Sequence, residues 1–263
     1  MYHTLVLYGL INYTILMKEN EIKRIVKKRY SEVAKKTSCC GGSTCCSMSD
    51  KDIARTIGYT DEEINHFSDA NLGLGCGNPI AIGLIKEGEF VLDLGSGAGF
   101  DCFLAVKKVG DFGKVIGVDM TEKMISIATE NAKKYGYKNV EFRLGDIDQL
   151  PVESNSIDVI ISNCVINLAP DKLKVFREAY RVLKKNGRMY ISDIVLLEDL
   201  SDEQRNNEEL ISSCVGGALL KDIYLKIIRD AGFKVRILLE NMDISKKQYQ
   251  GIPLESLSIE AIK

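Results

Sequence analysis

A chain of 263 residues can bury one sizeable core, and its formal charge of −2, from 35 basic and 37 acidic side chains, gives no electrostatic footprint for nucleic acid. Eight cysteines in a chain this long and this rich in Val, Ile and Leu exclude the small secreted disulfide scaffold, so the thiols are read as reduced, cytoplasmic and chemical. A small-molecule substrate is the expectation.

The first stretch, Met1–Met17, is apolar and uncharged, yet Tyr2, His3, Tyr8, Asn12 and Tyr13 interrupt it and it falls short of the ~20 residues of a bilayer span. It lacks the basic start and small-residue cleavage site of a signal peptide, and is read as an upstream extension without membrane attachment. From Lys18 to Lys36, Ile22, Ile25, Val26 and Val33 recur at helical spacing among lysines and glutamates, which predicts an amphipathic helix with a solvated basic face. Thr37–Asp50 is a Gly/Ser loop carrying Cys39, Cys40, Cys45 and Cys46. Four thiols so close can bind a soft metal or shuttle oxidising equivalents, although paired cysteines lack the C-x-x-C spacing of a zinc knuckle. Asp61–Phe67 predicts a short helix with His66 at the surface. Asn71–Gly83 (NLGLGCGNPIAIG) reads as a lid crossing a ligand site, with the Cys76 thiol exposed on a flexible backbone. The expected organisation is an extension at 1–17, helices and the cysteine-rich loop at 18–70, and one α/β domain over 71–263.

That domain is organised around Phe90–Gly99 (FVLDLGSGAG), an apolar run that predicts a buried parallel strand ending in a glycine turn. Gly95, Gly97 and Gly99 let the backbone approach a nucleotide closely, and ligands of open α/β sheets sit beyond the carboxyl ends of the strands where strand order reverses. A dinucleotide fingerprint wants its third small residue at position 100, where this chain has Phe100, so a dehydrogenase is disfavoured. Helix Asp101–Val109, with Cys102 packed inside it, leads to strand Lys114–Val118 and then Asp119. Asp119 lies 24 residues after Gly95, close to the ~20 at which an acid reaches the ribose hydroxyls of an adenosine, and Met120 can cover the adenine face. Thr121 caps a helix to Tyr135; Val140–Leu144 is a third strand, followed by Asp146 and Ile147, the former placed to accept from the adenine amine. Ser156–Ser162 is the fourth strand and delivers Asn163 and Cys164 to the same end of the sheet, where a cysteine would sit close to the reacting group of the ligand. Asp171–Leu183 is a helix stopped at Gly187, and Arg188–Leu196 the fifth strand. Cys214, in SSCVGGALL, follows where a substrate lid could form. A helix at Lys221–Ala231 and strands at Lys234–Leu239 and Ser256–Ile262 complete a doubly wound, seven-stranded, mostly parallel sheet with an antiparallel edge.

The acid before the turn and its alternate glycines, Asp93, Gly95, Gly97 and Gly99, resemble the first motif of class I S-adenosylmethionine methyltransferases, whose fold is Rossmann-like. With NLGLGCGNP around Cys76, VLDLGSGAGFDCFLA, GVDMT, FRLGDIDQLPV, SNCVINLAPDK around Cys164 and SCVGGA around Cys214, the chain is similar to the arsenite S-adenosylmethionine methyltransferases, enzymes of arsenic detoxification. The resemblance implies that Cys76, Cys164 and Cys214 hold As(III), supplied as arsenite or its thiol conjugates, and that a further N-terminal cysteine assists as a thiol or disulfide partner. It also implies S-adenosylmethionine bound through Asp93, Gly95, Gly97, Gly99, Asp119, Met120, Asp146, Ile147 and Asn163. A monomer is the expectation.

The chemistry agrees. Thiolate sulfur suits a soft centre, and three thiolates can hold As(III) in a pyramid whose lone pair faces the methyl group. Attack on a sulfonium carbon needs alignment more than acid–base help, so the absence of an evident general base is no obstacle. Arsenic oxidised by methylation would be reduced by thiols, leaving a disulfide for an external reductant of glutathione or thioredoxin type. Two alternatives remain at this stage: a methyltransferase for a small organic acceptor, and a non-catalytic thiol-rich metalloid-binding or sensor protein.

Overall fold

A computed structural model describes residues 19–35, 49–249 and 251–263. The apolar extension and Cys39, Cys40, Cys45 and Cys46 lie outside the described residues, so the readings placed on them stay expectations. Among the described residues no helix is long and apolar enough to cross a membrane.

Residues 19–35 form α1, followed by α2 (Asp50–Thr56), α3 (Asp61–His66) and α4 (Pro79–Ile82). The alternating region then runs β1 (Phe90–Leu94), α5 (Phe100–Val109), β2 (Lys114–Asp119), α6 (Glu122–Tyr135), β3 (Val140–Leu144), β4 (Ile157–Asn163), α7 (Lys172–Val182) and β5 (Leu183–Leu196). Two short helices, α8 (Asp202–Arg205) and α9 (Glu208–Ser212), precede α10 (Lys221–Asp230), β6 (Lys234–Asn241), α11 (Asp243–Gln248) and β7 (Leu254–Ile262).

The strands form one seven-stranded sheet in the order β3-β2-β1-β4-β5-β7-β6, with β7 antiparallel to both neighbours and the other pairings parallel. Because β1 lies between β2 and β4, the chain winds one way from β1 and the other way from β4, which opens a crevice at their shared carboxyl edge. Leu92, Leu94, Phe176 and Tyr224 belong to a core under α7 and α10, and Val91, Phe103 and Tyr190 to a second core with residues of α3 and α5. A third cluster gathers Val26 of α1 with Cys76, Cys164 and Cys214.

One boundary departs from the sequence reading. Gly187 does not stop α7; that helix ends at Val182 because Leu183 turns extended and pairs directly with Ile157. The register then shifts before Val159 pairs with Arg188, so Asn186, at φ 63°, and Gly187 sit in an irregularity inside β5 rather than in a helix–strand loop.

Candidate active site

The crevice holds a cavity that opens to solvent. Its floor is the β1 turn with Asp93, Gly95, Ser96 and Gly97; Asp119, Met120, Asp146 and Ile147 line it from the ends of β2 and β3, and Asn163 and Cys164 from β4. Nothing lies within 4 Å of a Cβ added to Gly97, so that glycine leaves open a space that a bound molecule can fill. Gly99 differs from the sequence reading: a Cβ there would meet Phe103 and Phe142 at 2.8 and 2.9 Å, so Gly99 packs α5 against the sheet instead of facing the cavity.

The Asp119 carboxylate accepts from the Gly97 and Thr121 amides at 3.1 and 2.8 Å, which fixes it at the cavity wall. Burial pushes its pKa up, against the pull of those amide bonds. Asp146 takes an ion pair from Lys23 at 2.7 Å, and Lys23 also reaches Asp148 at 2.7 Å. Asp93 is buried, raised well above the usual carboxylate range by burial and then by the neighbouring Asp101 charge, and accepts from the Cys102 thiol at 3.2 Å.

Sequence reasoning missed Tyr59 and the role of Asp101. The Tyr59 hydroxyl donates to Asp101 Oδ1 at 2.6 Å, and Asn163 Nδ2 donates to Asp101 Oδ2 at 3.1 Å, to the Tyr59 hydroxyl at 3.0 Å and to the Gly77 carbonyl at 2.9 Å. Burial lifts the Asp101 carboxyl to about 6. Through its Oδ1, Asn163 also accepts from the Cys76 amide at 3.1 Å, so one amide side chain joins the cavity wall to the first thiol.

The three thiols converge from widely separated segments. The Cys76 and Cys164 sulfurs and an Asp193 carboxylate oxygen lie within 4.8 Å of one another, and Cys214 Sγ donates to the Cys164 carbonyl at 2.7 Å. All three are buried, at 1 %, 4 % and 3 % exposure, which corrects the expectation of an exposed Cys76 on a flexible lid. Its glycine neighbours serve close packing: a Cβ on Gly75 would meet Asn163 Nδ2 at 2.8 Å, and one on Gly77 would meet Ser192 Cβ at 2.6 Å. Asn71–Gly75 do line the cavity, as a lid segment should. Among the described non-glycine residues φ is positive at Asn155, Cys164, Asn186 and Cys214. Asparagine takes that conformation readily, whereas a cysteine there stores of order 1–3 kcal/mol and signals a conformation imposed by the surrounding structure.

Burial raises the Cys76 thiol to about 11; Cys164 and Cys214 are also raised, burial joining the influence of the neighbouring thiols. Asp193, beneath them, is lifted to about 7 by burial while accepting from the Tyr224 hydroxyl at 2.9 Å, the Asn167 amide at 2.9 Å and the Ile194 amide at 3.0 Å. A buried charge-bearing residue inside the run Arg188–Leu196 was the available signal for it.

Comparison with known proteins gives concordant matches. The Methyltransferase domain family matches residues 85–232. The arsenite methyltransferase of Halobacterium salinarum is 45% identical over 225 residues, covering 81% of this chain and 58% of that protein, and the human arsenite methyltransferase is 36% identical over 215 residues, covering 77% and 56%. The chain thus spans little more than half the length of these relatives. The crystal structure of CrArsM, an arsenic (III) S-adenosylmethionine methyltransferase from Chlamydomonas reinhardtii, superposes with a TM-score of 0.62 at 33% identity, covering 80% of this chain and 73% of that one. A cavity at the β1–β4 switch point bordered by one member of a buried thiol cluster therefore comes with sequence and structural kinship to arsenite methyltransferases, and this chain belongs to the arsenite S-adenosylmethionine methyltransferase family.

Proposed function

We propose that this protein transfers a methyl group from S-adenosylmethionine to trivalent arsenic held by Cys76, Cys164 and Cys214. The observation that carries the reading is the burial of those three thiols in one cluster, with Cys164 also forming part of the cavity wall.

The open space at Gly97 and the fixed Asp119 carboxylate fit an adenosine-bearing molecule, with Asp119 to accept from ribose hydroxyls and Met120 and Ile147 to flank the base. When bound, S-adenosylmethionine supplies an electrophilic sulfonium methyl. The Asp93, Asp101 and Tyr59 group gives its charged amino-acid end a buried polar anchor. Raised thiol pKa values suit the uptake of arsenite: three S–H groups condense with As(OH)₃, each proton leaves in a water molecule, and no net charge is buried. Three sulfur bonds leave the arsenic lone pair as the nucleophile, and the protein contributes alignment. The As–C bond forms as the C–S bond breaks, and the oxidised arsenic takes two electrons from a pair of thiols. Those thiols are supplied by the cysteines between residues 37 and 50 or by an external thiol reductant of glutathione or thioredoxin type.

Labelled S-adenosylmethionine, arsenite and excess thiol test the reading directly. Labelled methylarsenic from the wild type and at least a hundredfold less from Cys164→Ser is the expected result. Wild-type protein that binds S-adenosylhomocysteine yet leaves arsenite unmethylated would overturn it and leave an organic acceptor.

A further inference from the structure

Helix α1 was expected to be amphipathic with a solvated basic face, and its inward face belongs to the site. Ile22, Val26 and Tyr30, four residues apart, pack on the cluster that contains all three cysteines, and Val26 is fully buried. Lys23 pins the same helix to the loop after β3 through Asp146 and Asp148, and Lys23, Val26 and Tyr30 all line the cavity. The helix therefore lies along the cavity from the Asp146 end to the thiol end. Its last cavity-lining residue is Tyr30, packed on the cluster that contains Cys164 and Cys214 and within reach of the Cys214 thiol.

Cys214 is the thiol that needs support. The Cys76 and Cys164 sulfurs and an Asp193 oxygen lie within 4.8 Å of one another, while the Cys214 thiol, beside that of Cys164, spends its proton on the Cys164 carbonyl at 2.7 Å. Once Cys214 bonds arsenic, that proton has left with an arsenic hydroxide as water. The sulfur then faces a carbonyl oxygen with no hydrogen between them, and two acceptors repel. The sulfur must turn away and needs a donor in its new position. We propose that Tyr30 is the positioning residue of the arsenic site, its hydroxyl donating to the Cys214 sulfur and holding it in the three-sulfur pyramid where the thiol cluster meets the cavity. This rests on the arsenic-binding reading above. It adds α1 to the arsenic site itself, beyond any cover it provides for the cavity.

Tyr30→Phe removes the hydroxyl and keeps the ring. Arsenite affinity, read from the arsenic–thiolate ultraviolet absorption, should weaken roughly tenfold, as for a lost hydrogen bond to a buried sulfur, with the band reduced toward that of a two-sulfur site. S-adenosylhomocysteine affinity should stay within twofold. Unchanged arsenite affinity, or an equal loss for both ligands, would overturn the proposal. Wild-type protein that fails to bind arsenite would instead overturn the parent reading. The chain has no tryptophan, so Tyr30→Trp supplies a single indole at the position as a second variant. Its emission should shift on arsenite addition, and an emission blind to arsenite would place residue 30 outside the site.

Discussion

Gly95 and Gly97 stand two residues apart in the same turn, both with positive φ, at 66° and 51°, yet the structure assigns alanine very different consequences at the two positions. At Gly97 an added Cβ meets nothing within 4 Å, so Gly97→Ala costs the folded protein only the left-handed backbone strain, about 1–2 kcal/mol. The methyl group projects toward the space meant for the methyl donor, so S-adenosylhomocysteine affinity should fall by roughly tenfold or more. At Gly95 the Cβ would stand 2.8 Å from Val165 Cβ, in the segment that follows Cys164. Gly95→Ala therefore adds overpacking of about 1–3 kcal/mol to the same strain. At roughly 2–4 °C per kcal/mol for a chain of this size, Gly95→Ala should unfold roughly 2–12 °C below Gly97→Ala. Scanning calorimetry of the two ligand-free variants, with titration calorimetry of S-adenosylhomocysteine into each, measures both effects. Equal unfolding temperatures, or product affinity at Gly97→Ala within twofold of wild type, would refute the placement of this turn.

Asp101 makes stability fall with pH. Its folded pKa of about 6 lies above the ordinary 3.8, so the folded state holds the proton more tightly and stability drops as pH rises from about 4 to 6, by up to about 1.4 kcal/mol per pH unit. Calorimetry across that range should show a flatter profile for Asp101→Asn. Tyr224→Phe removes a buried donor to Asp193 and should cost about 1–3 kcal/mol of stability in chemical denaturation, whereas the exposed Ile223→Ala should cost far less. Asn163→Ala breaks contacts to both halves of the site, and arsenite and S-adenosylhomocysteine affinities should fall together, each by roughly tenfold; loss of only one would show that this side chain does not couple them.

What could be read in advance was what neighbouring residues dictate. The β1 strand and its glycine turn, Asp119 after β2, and Asn163 and Cys164 after β4 each follow from an apolar run ending at a residue whose chemistry shows, and parallel topology places all of them on one edge. Contacts across long stretches of chain were not legible. Cys76 reaches the Ser192 carbonyl across 116 positions and Cys214 reaches Cys164 across 50, so the burial of these thiols depends on the completed sheet, while the glycines beside Cys76 look locally like flexibility. The same limit applies to α1. Counting only aliphatic residues gave Ile22, Ile25, Val26 and Val33 and described a helix with a core face but no named partner. Adding Tyr30 carries the stripe Ile22, Val26, Tyr30 toward the buried Ala34 and puts a hydroxyl within it. A tyrosine within an apolar stripe places a polar group on a buried face, where it requires a partner. In this protein that partner is Cys214, a cysteine 184 positions further along the chain.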